Sequence, residues 1–469
     1  MKRFFGIFLM AITLIACKKE DFTEVSLAKI TLNKSTFELN AFNLTKTVNF
    51  HTTHDWSASV TSDWLTIEPM SGSAGDAEFE IKAQPNFNAH SFNNCTAIIT
   101  ISAGNVKKNI MVTQEHFVVT IDNKMTPTYS STDFSQDGIV QTMQTASVGA
   151  GIDIIFMGDG FTDRLIKDGT YHKVMHLAQE ALFSIEPYKS FRDSFNCRYV
   201  NVVSKDERVA NGHDTALGVE LDVSDISTVL GINKTTVINY LSQNIDVKSM
   251  DNTLVVVIAN ISERRGCCYM WSQEVFDPNG GGFAVVVQGL CDFKNTLIHE
   301  CSHGFGKLAD EYALYPDSYL PDIDAYYLRA YYPLIGWYKN VDVTNDPFEV
   351  KWSKFLSDPR YASDDIGIYK GAYYYGHGAY RPSFDSMMNS SYLGYGFNAP
   401  SREAIYYRIH KLAFGDEWQY DYEKFVEYDA KNIGESQRPR SVSYPNYVEI
   451  STHQPPIVFN HSWREEIEP

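Results

Sequence analysis

The chain has 469 residues, more than one ordinary domain accommodates, so two or three domains are expected. Its 44% hydrophobic and 21% charged residues are those of a soluble globular protein. A formal net charge of −18 argues against nucleic acid as a partner, because phosphate binding needs a basic face, and it fits an acidic exterior outside the cell.

Lys2 and Arg3 precede an apolar run, Phe4 to Ala16, that is too short to span a bilayer. The run ends in Leu14-Ile15-Ala16-Cys17, which resembles a bacterial lipobox. The resemblance implies a signal peptide over 1–17 and lipidation of Cys17; the alternative is an ordinary signal peptide with an incidental Cys. Lys18-Lys19-Glu20-Asp21 is similar to the surface-export signals of Bacteroidetes lipoproteins. The expected location is the bacterial outer membrane, at the cell surface or the periplasmic face. The lipid anchor is the expected membrane contact, with no spanning segment.

Residues 25–116 predict a β-sandwich. Short alternating runs recur at Ala28–Leu32, Thr47–His51, Glu78–Ile81, Ala97–Ile101 and Asn109–Thr113, separated by turn clusters such as Ser71-Gly72-Ser73-Ala74-Gly75. Asp55-Trp56-Ser57, Asp63-Trp64-Leu65-Thr66-Ile67-Glu68-Pro69 and the closing Val112-Thr113-Gln114-Glu115 resemble the BACON domain, an immunoglobulin-like module of Bacteroidetes surface proteins. The resemblance implies a carbohydrate contact through this module. The plainer reading makes Trp56 and Trp64 core residues of a spacer.

Residues 117–150 read as a polar connector, and 151–430 as an α/β domain with a mixed sheet. Strands are predicted at Ile152–Met157, Phe195–Ser204, Thr253–Ile258 and Phe283–Val287, with a helix over Asp163–Glu186. The Tyr-rich stretch 312–395 reads as loops, Ser401–Phe414 as a helix, and 431–469 as a tail. Cys95, Cys197, Cys267, Cys268, Cys291 and Cys301 are too scattered for a disulfide scaffold. Cys301 reads as buried packing, with a bridge to a neighbour such as Cys291 as the alternative.

The chemistry lies in His299-Glu300-Cys301-Ser302-His303, an HExxH motif. Two His residues four apart on a helix share one face and can ligate one zinc ion. Glu300 then projects toward the open side of the ion as general base and, later, general acid. Downstream, Asp310 and Glu311 are the nearest carboxylates for a third ligand. Asp310 is favoured because a short side chain after a turn reaches back; Glu311 is the alternative ligand or orients a histidine.

The string His299 to Tyr312, with its Gly304-Phe305-Gly306 and Ala309-Asp310-Glu311-Tyr312, resembles the IgA-peptidase family, metallopeptidase family 64. Asp159-Gly160-Phe161-Thr162, Lys351-Trp352, Gly367 to Ala372, Tyr380-Arg381-Pro382 and Ser386-Met387-Met388-Asn389 extend the resemblance over roughly 151–415. It implies a metzincin-like zincin fold, one catalytic zinc ion and a polypeptide or glycoprotein substrate. Gly306 would end the helix and turn the chain back to the metal. Ser386-Met387-Met388 looks like a Met-turn, with Met388 as the floor beneath the zinc; an ordinary pair of core methionines is the alternative. The chain departs from the metzincin pattern at Ala309, where a third His is usual, and at Ser390, where a Tyr can follow the Met-turn. Tyr392 or another loop Tyr could then be the oxyanion donor. His377 and His213 read as exposed loop residues, with contact to substrate as the alternative.

The expected whole is multidomain: an N-terminal immunoglobulin-like β-sandwich and an α/β metzincin-like zincin domain that hydrolyses peptide bonds. Two alternatives are a catalytically idle surface lipoprotein that binds glycan or protein, and a zinc hydrolase of a non-protein amide bond.

Overall fold

The computed structural model describes residues 27–39, 44–62, 64–83, 95–114, 129–221, 230–261, 265–272, 279–290, 293–391, 396–434 and 455–467. Cys17, the charged residues 18–21, Cys291 and Tyr392 lie outside them. Two compact units divide near Gln114.

The first unit is sheet-rich. Its described strands are β1 (Ile30–Leu32), β2 (Thr36–Leu39), β3 (Thr45–Thr52), β4 (Trp56–Val60), β5 (Leu65–Glu68), β6 (Ser71–Gly72), β7 (Gly75–Ala83), β8 (Cys95–Ala103) and β9 (Val106–Gln114). They form two sheets, ordered β1-β3-β7-β5 and β2-β9-β8-β4-β6. Burial alternates along them, as along Val48, Phe50 and Thr52 of β3, so each sheet turns one face to a shared apolar core. Trp56 lies inside that core, with Phe50 edge-on at 4.9 Å, and Trp64 packs partly buried against it. A Cβ on Gly72 would come within 2.7 Å of the Trp56 indole, so glycine there lets the neighbouring strand lie over the ring. Strands β2, β4, β5 and β6 are too short, or too interrupted by turns, to stand out by alternation alone.

The second unit contributes β10 (Val140–Gln144), β11 (Ile152–Asp159), α1 (Asp163–Lys167), α2 (Thr170–Leu182), β12 (Phe195–Val200), β13 (Glu220–Leu221) and β14 (Leu230–Gly231). Next come α3 (Lys234–Asn244), β15 (Leu254–Ala259), β16 (Gly266–Trp271), β17 (Ala284–Gln288) and α4 (Phe293–Gly304). Beyond them lie β18 (Tyr315–Tyr319), α5 (Asp322–Tyr326), α6 (Ser353–Ser357), β19 (Tyr369–Ala372), β20 (Tyr375–Arg381), α7 (Ala399–Phe414), α8 (Tyr422–Asp429) and β21 (Ile457–Phe459).

The central sheet is mixed and runs β10-β12-β11-β15-β17-β16-β21. Its four middle strands are parallel, while β10 and β16 run antiparallel to their inner neighbours. Every residue of β15 is buried because the strand is covered on both faces. Leu254, Val256 and Ile258 join the core that holds α2, α4 and α7, and Val255, Val257 and Ala259 join the core that holds α3. No helix among the described residues is long and apolar enough to cross a membrane.

Four sequence expectations change. The helix expected over Asp163–Glu186 is two helices, because Gly169 between them is left-handed at φ 82°. In the Tyr-rich stretch 312–395, read as loops, a three-stranded sheet forms in the order β18-β20-β19. Residues 129–150, read within the connector, supply β10, and residues 455–467, read within the tail, supply the edge strand β21. Edge strands of this kind lack a second apolar face and so leave little periodic signal.

Candidate metal centre

Helix α4 packs on β16, β17 and α2 through Leu297, Ile298 and Cys301. Gly304 allows the close approach, since a Cβ there would lie 2.7 Å from Leu254. Cys301 is a free, fully buried thiol of this core face, as are Cys197, Cys267 and Cys268 in theirs. The packing reading of Cys301 holds, and its alternative partner, Cys291, lies outside the described residues. The expectation for Gly306 changes. The helix stops at Gly304, and the left-handed residue that reverses the chain is Lys307, φ 52°. Gly306 instead makes room for α7, because its Cβ would lie 3.0 Å from Ile405.

The reversal returns Asp310 to the helix. Asp310 Oδ1 lies 2.9 Å from His299 Nε2 and 3.2 Å from His303 Nε2, and the two Nε2 atoms are 3.0 Å apart. All three side chains are buried. His299 Nδ1 donates to the Met387 carbonyl at 2.9 Å and His303 Nδ1 to the Leu308 carbonyl at 2.7 Å. A carbonyl only accepts, so each ring carries its proton on Nδ1 and turns a bare Nε2 lone pair inward. Asp310 Oδ1 correspondingly accepts no hydrogen bond of sound geometry despite its two near neighbours. Burial pushes the Asp310 carboxyl up, and it is positive charge at His303 and His299 that would hold it below the usual carboxylate range, so the carboxylate form calls for a cation beside it. Three lone-pair atoms converging in a buried pocket repel one another unless a cation lies among them. Two imidazoles and a carboxylate are an acceptable donor set for zinc. It is the only such group of metal-ligating side chains found among the described residues.

Glu300 is fully buried next to this cluster, and burial pushes its carboxyl up to about 8, with His299 opposing the rise. Strand β16 makes room for it: a Cβ on Gly266 would lie 3.1 Å from Glu300 Cγ. Glu311 points elsewhere. Its Oε1 accepts from Asn340 at 2.8 Å and Asn398 at 3.0 Å, and its Oε2 accepts from Ser386 at 2.6 Å. Burial raises its carboxyl and these donors oppose the rise. Glu311 thereby ties the 386–388 turn and the start of α7 to the metal loop, and touches neither histidine through these bonds. Asn340 also pairs with both backbone groups of Ala309, at 2.9 and 2.8 Å, and fixes the residue before Asp310.

Met388 is fully buried in the main core, and its carbonyl accepts from Glu311 N at 2.8 Å. His377 stacks on Tyr319 at 4.6 Å and His213 bonds loop carbonyls, so neither joins the cluster. The sequence reading passed over Tyr374, whose hydroxyl donates to Asp310 Oδ2 at 2.9 Å, as well as Asn340 and Asn398. A loop tyrosine 64 residues away carries no periodic signal for that contact.

Residues 140–361 match the family model described as IgA Peptidase M64, which includes both histidines, Glu300 and Asp310. The match supports a peptidase, in a family of metallopeptidases. Residues 29–116 match the model of the viral BACON domain, which supports the order of the two domains. No curated protein matches the chain. Among solved structures, the periplasmic chaperone SfaE is 9% identical over 20% of this chain and 60% of its own, with a TM-score of 0.17. A Bacteroides ovatus GH5 xyloglucanase, in complex with a XXXG heptasaccharide, is 15% identical over 51% of this chain and 38% of its own, with a TM-score of 0.18. At such scores these likenesses carry no argument.

Proposed function

We propose that the chain is a zinc-dependent endopeptidase of metzincin-like fold, lipid-anchored at Cys17 on the bacterial outer membrane, acting on extracellular polypeptides, including glycoproteins. The observation that carries the enzymatic reading is the convergence of His299 Nε2, His303 Nε2 and Asp310 Oδ1, each a lone-pair donor with its orientation set by another group.

When bound by these three side chains, zinc would polarise the scissile carbonyl and the attacking water. The rest of the chemistry belongs to the chain. The Met387 and Leu308 carbonyls fix the tautomer and plane of each imidazole, as second partners of ligating histidines do. Glu300 takes the proton of the attacking water and delivers it to the leaving amine. A carboxyl pushed up by burial is suited to holding that proton between the two steps, and a bound cation would draw its pKa down toward neutrality. The buried setting keeps competing water away and strengthens each of these interactions.

The BACON-type module is proposed as a spacer, supported by Trp56 lying in its core. The test is metal analysis of the purified chain, with cleavage of a glycoprotein panel before and after chelation. One zinc per chain, with cleavage lost on chelation and restored by zinc, is expected. A chain that purifies without zinc and takes none up would sink the reading.

A further inference from the structure

Strands β19 and β20 form a hairpin in which Ala372 pairs with Tyr375, leaving Tyr373-Tyr374 as a two-residue loop. Both have positive φ, 49° and 73°. Positive φ at both loop residues is the signature of a type I′ turn, whose sequence norm is Asn-Gly. A side chain with a Cβ is strained in that region, and a bulky aromatic one especially so. The chain has placed two tyrosines where the backbone asks for Asn-Gly.

Apart from Arg208, the positive-φ non-glycine residues among those described gather around the metal cluster. Lys307 precedes Leu308, whose carbonyl orients His303. Tyr338 N donates to the Lys307 carbonyl at 2.8 Å, and Tyr373 N donates to the Asp310 carbonyl at 3.1 Å. These loops share their strained residues with the metal cluster, and strain that persists in a fold concentrates where geometry serves a function.

The turn is stitched to the segment that carries Asp310. Tyr374 N donates to the Tyr312 carbonyl at 3.0 Å, and Tyr315 N donates to the Tyr374 carbonyl at 2.8 Å. The Tyr374 ring meets Tyr312 edge-on at 5.7 Å, and Tyr312 stacks on His299 at 6.5 Å. Packing alone would be served by Phe. The hydroxyl adds one thing a Phe lacks, the 2.9 Å hydrogen bond to Asp310 Oδ2.

We propose that Tyr374 is a positioning residue for the third metal ligand: a strained hairpin turn holds its hydroxyl on Asp310 Oδ2, so that Oδ1 alone is presented beside the two imidazoles. This rests on the zinc reading and deepens it. A carboxylate whose second oxygen is free can rotate or offer both oxygens; one whose second oxygen already accepts a hydrogen bond offers a single, fixed donor. The effect acts through Asp310 and so belongs to metal affinity and ligand geometry before it belongs to turnover.

The test compares the native chain with Tyr374→Phe and with the double variant Tyr373→Asn/Tyr374→Gly. Zinc affinity is read by chelator competition, and ligand geometry by the visible absorption of the cobalt(II)-loaded proteins. Both variants are expected to bind zinc about 10- to 100-fold more weakly, the range for loss of a ligand's outer partner, with altered cobalt bands. The double variant suits the turn's backbone better than the native pair, so backbone strain in the hairpin does not account for its loss of affinity, and Tyr374→Phe, which keeps the ring packing, isolates the hydroxyl. Zinc affinity within twofold of native in Tyr374→Phe, with only thermal stability changed, overturns the proposal and leaves the tyrosine as packing. A native chain that binds no zinc overturns this proposal together with the zinc reading, and that first measurement tells the two failures apart.

Discussion

The two units bury different things. Among the described residues of the sheet-rich unit the buried ones are apolar apart from Thr52 and Gln114, and strands such as β3 and β5 alternate them with more exposed residues. In the α/β unit the interior also holds Asp159, Glu300, Lys307, Asp310, Glu311, Arg402 and Asp429. Burying a charge is expensive unless it is paired and hydrogen-bonded. Most of these groups meet that condition. Asp159 accepts from Ser204, Thr215 and the Leu217 and Val219 amides. Arg402 is bidentate to Asp429, at 2.6 and 2.8 Å, and reaches Asp364 at 3.3 Å. Asp310 Oδ1 is the contrast, turned toward two nitrogens that offer it no proton. Saturated buried charges in this unit build the scaffold, whereas Asp310 Oδ1, like Glu300 Oε2, carries no hydrogen bond.

That distinction can be broken by substitution. The largest expected effect is on turnover. Glu300→Gln keeps the shape of the side chain and removes the proton acceptor, and should lower kcat by about 10²–10⁴-fold. Zinc content and thermal stability should hold, because a buried carboxyl that burial drives toward its neutral form loses little on becoming an amide. A stability loss equal to the activity loss would place Glu300 in the scaffold instead. Arg402→Met tests the opposite class. It strands Asp429 and Asp364 without their cation, and should cost about 3–5 kcal/mol in denaturant unfolding of the α/β unit. Phe79→Ala removes a ring that is 1% exposed in the first unit and should cost about 3–5 kcal/mol there, by cavity formation, with zinc content unchanged. Loss of zinc in Phe79→Ala would show that the two units do not fold separately.

The same contrast decides what could be read from the sequence. Alternation with one wet face made the long strands β3, β7, β8 and β9 legible, and the mostly apolar runs of β11, β15 and β17 announced central strands. The convergence of His299 and His303 was legible because four-residue helical spacing puts two side chains on one face. Asp310 needed the chain reversal as well, and the reversal uses Lys307, a residue type that gives no turn signal. Tyr374, Asn340 and Asn398 converge on the two acidic residues from loops and a helix cap far along the chain. Nothing in local spacing links them, so only the fold brings them into view. The edge strands β10 and β21 were hidden for a related reason, since a strand paired on one side needs no regular apolar pattern.

The smallest effect belongs to an ion pair whose arginine reaches the surface, where the comparison should fade. Asp358 accepts from Arg360 and from the Tyr422 hydroxyl, and Arg360 also reaches Glu423 on α8. The hydrogen bond from Arg360 is the main reason that the Asp358 carboxyl is held down to about 2. An unfolded Asp titrates near about 3.9, so the folded state binds the proton less readily than the unfolded state does. The stability this contributes is therefore fully present above that value and is lost as pH falls toward about 2. Arg360 is 43% exposed, so solvent screens the pair, and Asp358→Asn should cost under about 1 kcal/mol near neutral pH. The gap between native and variant, read from denaturant midpoints, should close between about pH 4 and pH 2 and narrow with added salt. A gap that persists unchanged at pH 2 would mean that Asp358 acts by capping the following turn through the Arg360 amide, at 2.9 Å, and that its charge contributes nothing.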